Sequence, residues 1–336
     1  MDTRRRNHYD VTNRICIASP QDVRDEVKRL LGVHHPNLDL SVLDLAFQRY
    51  TELHAGVLPG FAAADTLYHD AQHGLDCTLG TARLLDGHSR GAGPGERISG
   101  RRAVLGLVIA LFHDAGYVRR LADEASNGAA YTLSHVQRSA EFLEQILPTL
   151  GYAAEVSLAM KLVHFTGYEM PLDAIDVQDP LDRLLGFMVA TSDLIVQTAD
   201  RCYLEKCRDF LYQEFEVAGL SGTPKPGRPQ PPYPDRDTLM RGTPAFNQKI
   251  WTERLDGYFG GIHGYFAVHF GGAYGEPHPY LDAVQANLAR IRDVIATGNW
   301  DELRLRPRAI DAACMRRALG RPCSRRNLLQ RVAVAA

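Results

Sequence analysis

A chain of 336 residues with 45% hydrophobic content is long enough for one large core or two modest ones. A formal net charge of −2 and a pI near 6.7 create no global field for nucleic acid or an anionic membrane, so a small molecule is the expected partner. The six cysteines form no CxxC pair and read as reduced thiols, and no stretch has the length of a signal peptide or a membrane span, which together predict a cytoplasmic protein without membrane association.

In chain order, residues 1–40 read as an N-terminal segment, residues 41–300 as an all-α domain with its chemistry-bearing core at about 65–215, and residues 301–336 as an Arg-rich tail. Apolar residues recur every three or four positions and alternating runs are scarce, so helices are expected throughout. Asp65 can cap a helix from Thr66 to about Asp86, and Arg101 to Asp114 reads as a nearly all-apolar, central helix closed by Gly116. Ser134 and Gln137 suggest a capping box opening a helix that Pro148 and Gly151 end. A helix from about Ala154 to His164 follows. Asp179-Pro180 should open a long helix running past Asp193 to around Phe215, and Tyr280 to Ile295 forms another. Three stretches break the helical period: Gly91 to Gly100, the Pro-rich 222–237 segment, and Gly271 to Pro279. The tail after Leu303 carries nine arginines against one aspartate but no aromatic residue, so a nucleic-acid platform is not expected there.

Three separated motifs place ionisable groups where burial is costly. His69 and His73, four residues apart, share one helix face if the first helix starts at Thr66. His113-Asp114 ends the most apolar helix, and Asp193 stands mid-helix among apolar neighbours, where propensity disfavours it and no cap can hold it. Lys161 or an arginine could pair with Asp193, but imidazoles and carboxylates gathered from three motifs point to a divalent metal among Zn, Mn, Fe, Mg and Co. His69 alone, without such a set, reads as a surface or packed histidine.

At these residues the chain resembles the HD superfamily of metal-dependent phosphohydrolases, and most closely the catalytic domain of cyclic-nucleotide phosphodiesterases. Tyr68-His-Asp-Ala-Gln-His73, His113-Asp114 and Ala190-Thr-Ser-Asp-Leu194 stand in the order of that family's three elements. The resemblance spans about Asp65 to Phe215 and departs at Asp70, where those phosphodiesterases carry Asn, and at Tyr117, where they carry a further His. It implies an HD-type, phosphodiesterase-like helical bundle that hydrolyses a small-molecule phosphate ester, such as a phosphodiester or cyclic nucleotide. His73, His113, Asp114 and Asp193 are then metal ligands. The order also fits HD proteins with two ions per chain, in which Asp114 bridges and takes part in catalysis while His135 and His164 hold the second ion. Two ions roughly 3.5–4 Å apart activate water and neutralise phosphoryl oxygens, leaving proton delivery to His69 as general acid. Asp70, Arg119 and Gln197 are candidate substrate contacts. Arg120, Asp200, Tyr168, Glu169, His263, His269 and the Gly260 to Gly275 stretch are weaker rim candidates. A homodimer is left open. The competing readings are an HD-type di-iron oxygenase and a non-catalytic ligand-binding HD module. A proton donor at His69 favours hydrolysis, since an oxygenase has no leaving alkoxide to protonate.

Overall fold

The computed structural model describes residues 6–93, 95–223 and 230–319. Among them the chain is all-α, with isolated β-bridges and no strand. The centre is α3 (Ala71–Gly91), buried on nearly every side, which packs against α1 (Pro20–His34), α4 (Gly100–Phe112), α7 (Pro180–Ala199) and α11 (Tyr265–His269). Apolar side chains all round α4 follow from the same position, since a helix covered on all faces has no polar face to keep. Residues of the N-terminal segment (Ile17, Val23, Val27) and of the tail (Met315) belong to the same apolar core as α3, α4 and α7. No helix of the described residues is long and apolar enough to cross a membrane.

Close helix approach is built into the sequence. A Cβ on Gly80 of α3 would overlap Ser192 Oγ and Val196 Cγ1 of α7, and Ser192 Oγ donates 2.7 Å to the Cys77 carbonyl across the same contact. That crossing sets Asp193 against the first turn of α3. Gly116, in the tight turn after α4, lies so close to the His135 carbonyl that a Cβ there would overlap it, which brings α5 (His135–Ile146) onto the end of α4.

Several boundaries differ from the sequence reading. The helix expected from Thr66 starts at Ala71, capped by Asp70 Oδ1, which accepts the His73 N–H at 3.0 Å. Asp65 instead accepts the Gly128 N–H and pairs with Arg119, while Glu214 takes the N–H groups of Leu67 and Tyr68. Asp65, the expected cap, is thus committed elsewhere, and His69 precedes the helix rather than sharing a turn with His73. The Ser134/Gln137 box does not form: the Glu169 carboxylate accepts the N–H groups of Val136 and Gln137 at 2.7 and 3.0 Å, and Ser134 Oγ turns to the Tyr131 carbonyl. The next helix, α6 (Val156–Val163), is shorter than expected, and His164 opens the 3-10 turn behind it. Asp179 and Pro180 start α7 as expected, but α7 ends at Ala199. Asp200 breaks it with extended backbone, accepting the Cys202 N–H and the Lys206 ammonium. The chain resumes as α8 (Tyr203–Lys206), a π turn over Cys207–Leu211, and α9 (Tyr212–Val217), a redirection that carries Glu214 to His69.

Helix α10 (Arg236–Lys249) runs despite Pro244, and α12 (Pro279–Thr297) matches the helix expected at Tyr280 to Ile295. Prolines 224, 226 and 229 of the Pro-rich break lie outside the described residues, as do Arg321, Arg325, Arg326 and Arg331 of the tail. The described part of the tail forms α13 (Ala312–Ala318) and docks on α2 (Ser41–His54). There the Ile310 N–H donates to Asp70 Oδ2, and Arg316 donates to the Ala55 carbonyl.

Candidate metal centre

His73 from the first turn of α3, His113 at the end of α4, Asp114 just beyond it and Asp193 from the middle of α7 converge. His73 Nε2 lies 3.1 Å from Asp193 Oδ1, 3.4 Å from Asp114 Oδ2 and 3.2 Å from His113 Nε2. His113 Nε2 lies 3.4 Å from Asp114 Oδ2 and 3.5 Å from Asp193 Oδ1. His113 Nδ1 donates 2.8 Å to the Ala110 carbonyl, which makes Nε2 the lone-pair nitrogen of the neutral ring and aims it at the cluster. Burial works against charge on Asp193, yet the imidazoles of His113 and His73 hold its carboxyl far below the usual range.

Two observations decide whether this set suits a cation. Asp114 Oδ2 is buried and has no hydrogen-bond partner, although such an atom ordinarily finds one. Two imidazole Nε2 atoms also face each other at hydrogen-bond distance, an arrangement that repels when both present lone pairs. A cation held by His73, His113 and Asp114, with Asp193 beside them, relieves both. Two nitrogens and carboxylate oxygens suit Zn, Mn or Fe.

His135 and His164 fare differently. His135 Nδ1 donates to the Thr132 carbonyl at 2.8 Å, turning Nε2 to within 3.6 Å of Asp114 Oδ1. Burial, partly offset by Asp114, lowers its pKa. His164 does not reach ion-pair distance of Asp114; its Nδ1 is buried without a hydrogen-bond partner, and burial lowers its pKa against the pull of Glu169. The second group of ligands expected from the sequence is therefore not gathered as a set.

His69 stands beside the cluster on a cavity of about 320 Å³ whose wall also includes Asp114, His135 and Asp193. Its Nδ1 meets Glu214 Oε2 at 2.6 Å, and Glu214 Oε1 accepts the Leu67 and Tyr68 N–H groups at 2.7 and 2.6 Å. Burial opposes the charged imidazole, but Glu214, with Asp114 and Asp193 behind it, outweighs burial and raises the pKa. Tyr117 stacks against both His69 and His135, with ring centroids 4.3 and 4.4 Å away and nearly parallel planes. The tyrosine that departs from the phosphodiesterase pattern thus fixes the plane of two site histidines.

The expected substrate contacts are mostly committed elsewhere. Asp70 is buried between the His73 and Ile310 N–H groups and serves as cap and tail anchor. Arg119 pairs with Asp65 at 2.9 Å, and Arg120 with Glu141 at 2.6 Å, both away from the cavity wall. Gln197 does line the cavity, but its amide donates to Asp193 and accepts from Tyr68 Oη. Tyr168 and Glu169 line the cavity; His263 pairs with Asp256 and His269 with Asp86, outside it. Asp200 is bonded to Lys206 in a smaller polar recess behind His73. Sequence reasoning missed Glu214, which sits in Tyr-Gln-Glu-Phe-Glu with nothing local to distinguish it from a solvated helix residue.

No protein-family model matches this chain, and no curated protein matches it.

Proposed function

We propose that the protein is a metal-dependent phosphohydrolase of the HD type that hydrolyses a small-molecule phosphate ester in the cytoplasm, with His69 as general acid. The observation that supports this most is the convergence of His73, His113, Asp114 and Asp193 on one point beside a Glu214-backed imidazole, with Asp114, Asp193 and His69 on the wall of one cavity. A divalent cation held there supplies a Lewis acid that activates water and neutralises phosphoryl charge. The chain's own groups do the rest. Asp193 and Asp114 come from separate segments, and Gln197 donates to Asp193 Oδ1, the oxygen that faces His73 and His113, which orients that carboxylate. Glu214, bonded to Nδ1, favours the protonated form of His69, whose Nε2–H is the proton available to the leaving oxygen. In the reaction the water oxygen bonds to phosphorus and gives up one proton to solvent, the bond from phosphorus to the leaving oxygen breaks, and that oxygen takes the His69 proton, which His69 regains from solvent. The raised pKa of a hydrogen-bonded acid next to the ligands favours hydrolysis over the oxygenase and binding-module readings.

We place one strongly held ion on the His73, His113, Asp114 and Asp193 set. A second ion would have Asp114 Oδ1 and His135 Nε2, 3.6 Å apart, to bind it. The test is metal analysis of protein purified without a chelating tag, then an assay on bis(p-nitrophenyl) phosphate after loading Mn, Fe, Zn or Co. Stoichiometric metal in the wild type, lost in His113→Ala together with activity, is expected. Full metal content in His113→Ala refutes the assignment.

A further inference from the structure

The cavity is chemically two-sided. Its charged groups, His69, Asp114, His135, Glu169 and Asp193, all sit at the metal end. Beyond them the wall is made by Leu194, Leu211, Phe215, Leu220, Leu239 and Phe246, contributed by α7, α9, α10 and the turns between them. Several polar atoms in that outer part are already bonded within the protein, and the Tyr168 and Tyr233 hydroxyls are the others on the wall. Tyr203 Oη accepts from Asn247, Thr243 Oγ1 donates to the Leu239 carbonyl, and the Gln197 amide is engaged as above. Among the described residues no lysine or arginine lines the cavity. The mouth is apolar too: Leu133, Tyr168 and Phe246 are 68%, 62% and 45% exposed, and all three line this cavity. Large apolar side chains left in water around one opening mark a binding surface rather than incidental exposure.

Resting on the phosphohydrolase reading, we infer that the substrate is a phosphate ester whose organic group is hydrophobic and uncharged, an alkyl or aryl ester rather than a nucleotide or a polyphosphate. A second phosphate or carboxylate would meet no cation in the outer cavity and would lose its hydration there. A base edge would find few polar partners along the leucine and phenylalanine wall, whereas an alkyl chain gains from each methylene it buries against those side chains. The cavity volume of about 320 Å³ lies in the range that encloses a small organic ligand.

The test uses the Mn-loaded full-length protein and calorimetric titration with ethyl-, butyl-, hexyl- and octylphosphonate, whose C–P bond is not hydrolysed, alongside adenosine monophosphate. Affinity should rise at least about tenfold from ethyl to hexyl, within a limit of roughly fourfold per fully buried methylene. Adenosine monophosphate should bind no more tightly than ethylphosphonate. Phe246→Ser, at a half-exposed rim position, should flatten the chain-length series by weakening hexylphosphonate more than ethylphosphonate. A flat series, or adenosine monophosphate binding more tightly than hexylphosphonate, overturns the assignment. Turnover of hexyl p-nitrophenyl phosphate is read separately. A rising series supports the hydrophobic occupant whether or not that ester is cleaved, whereas failure to cleave any ester refutes the hydrolase reading alone.

Discussion

Replacing Glu214 separates the two tasks of one carboxylate. Its Oε1 accepts the Leu67 and Tyr68 N–H groups and its Oε2 the His69 Nδ1–H, and the side chain is buried. In Glu214→Gln the amide oxygen can keep the two backbone donors while the NH₂ is left facing a ring N–H. Loss of one charge-assisted hydrogen bond costs about 1.5–3 kcal/mol. Glu214→Ala also orphans the buried Tyr68 N–H, at about 1–3 kcal/mol, and frees the part-buried Leu67 N–H, so it should be the more destabilised variant by at least about 1–3 kcal/mol in urea unfolding. The kinetic signature is distinct. Glu214 is what raises the His69 pKa against burial, so the proton donor is lost as pH rises through that value. Removing the charge lowers the pKa and moves the alkaline fall of the pH–rate profile to lower pH. On alkyl esters with poor leaving groups the rate at neutral pH should drop roughly 10²- to 10⁴-fold in His69→Ala and by less in Glu214→Gln, while activated aryl esters are nearly spared. An alkaline limb that stays in place in Glu214→Gln, or equal losses on both ester classes, would refute the proton-transfer role.

Other outcomes follow from the same contacts. Asp193→Ala should lose the ion, as measured by elemental analysis after dialysis, and melt at lower temperature than the metal-loaded wild type, because His73 and His113 remain buried and unpaired. Burial holds the His54 pKa at about 4 against an ordinary 6.5, so between those values the unfolded chain binds more protons and stability falls as pH falls. The gap of about 2.5 units corresponds to roughly 3 kcal/mol lost by pH 4; His54→Asn, which can still donate to the Tyr50 carbonyl, should flatten that part of the stability-versus-pH curve. Asp70→Ala removes both the α3 cap and the Ile310 anchor. It should cost about 1–2 kcal/mol and abolish hydrogen-exchange protection at Ile310; protection unchanged from the wild type would mean the tail docks through other contacts.

The sequence by itself determined the helical class, because the three-to-four-residue period of apolar side chains is a local property of each segment. It also located the start of α7 at Asp179-Pro180, the extent of α12, and the four costly groups His73, His113, Asp114 and Asp193, since a carboxylate or imidazole inside an apolar helix implies a partner wherever that partner lies. What the tertiary structure decided depends on residues far apart in the chain. Glu214, more than 140 positions away, accepts the Leu67 and Tyr68 N–H groups, Asp65 is drawn to Gly128 and Arg119, and α3 starts past His69. Glu169 displaces the Ser134 capping box in the same manner. Asp200 ends α7 by pairing with Lys206 on the next helix, and without that break Glu214 would not meet His69. The separation of His164 from Asp114, and the union of leucines from α7, the π turn and α10 with the phenylalanines of α9 and α10 into one hydrophobic wall, are likewise packing outcomes. A periodicity reports which face of a helix is apolar; only the packing of one helix on another decides what that face meets.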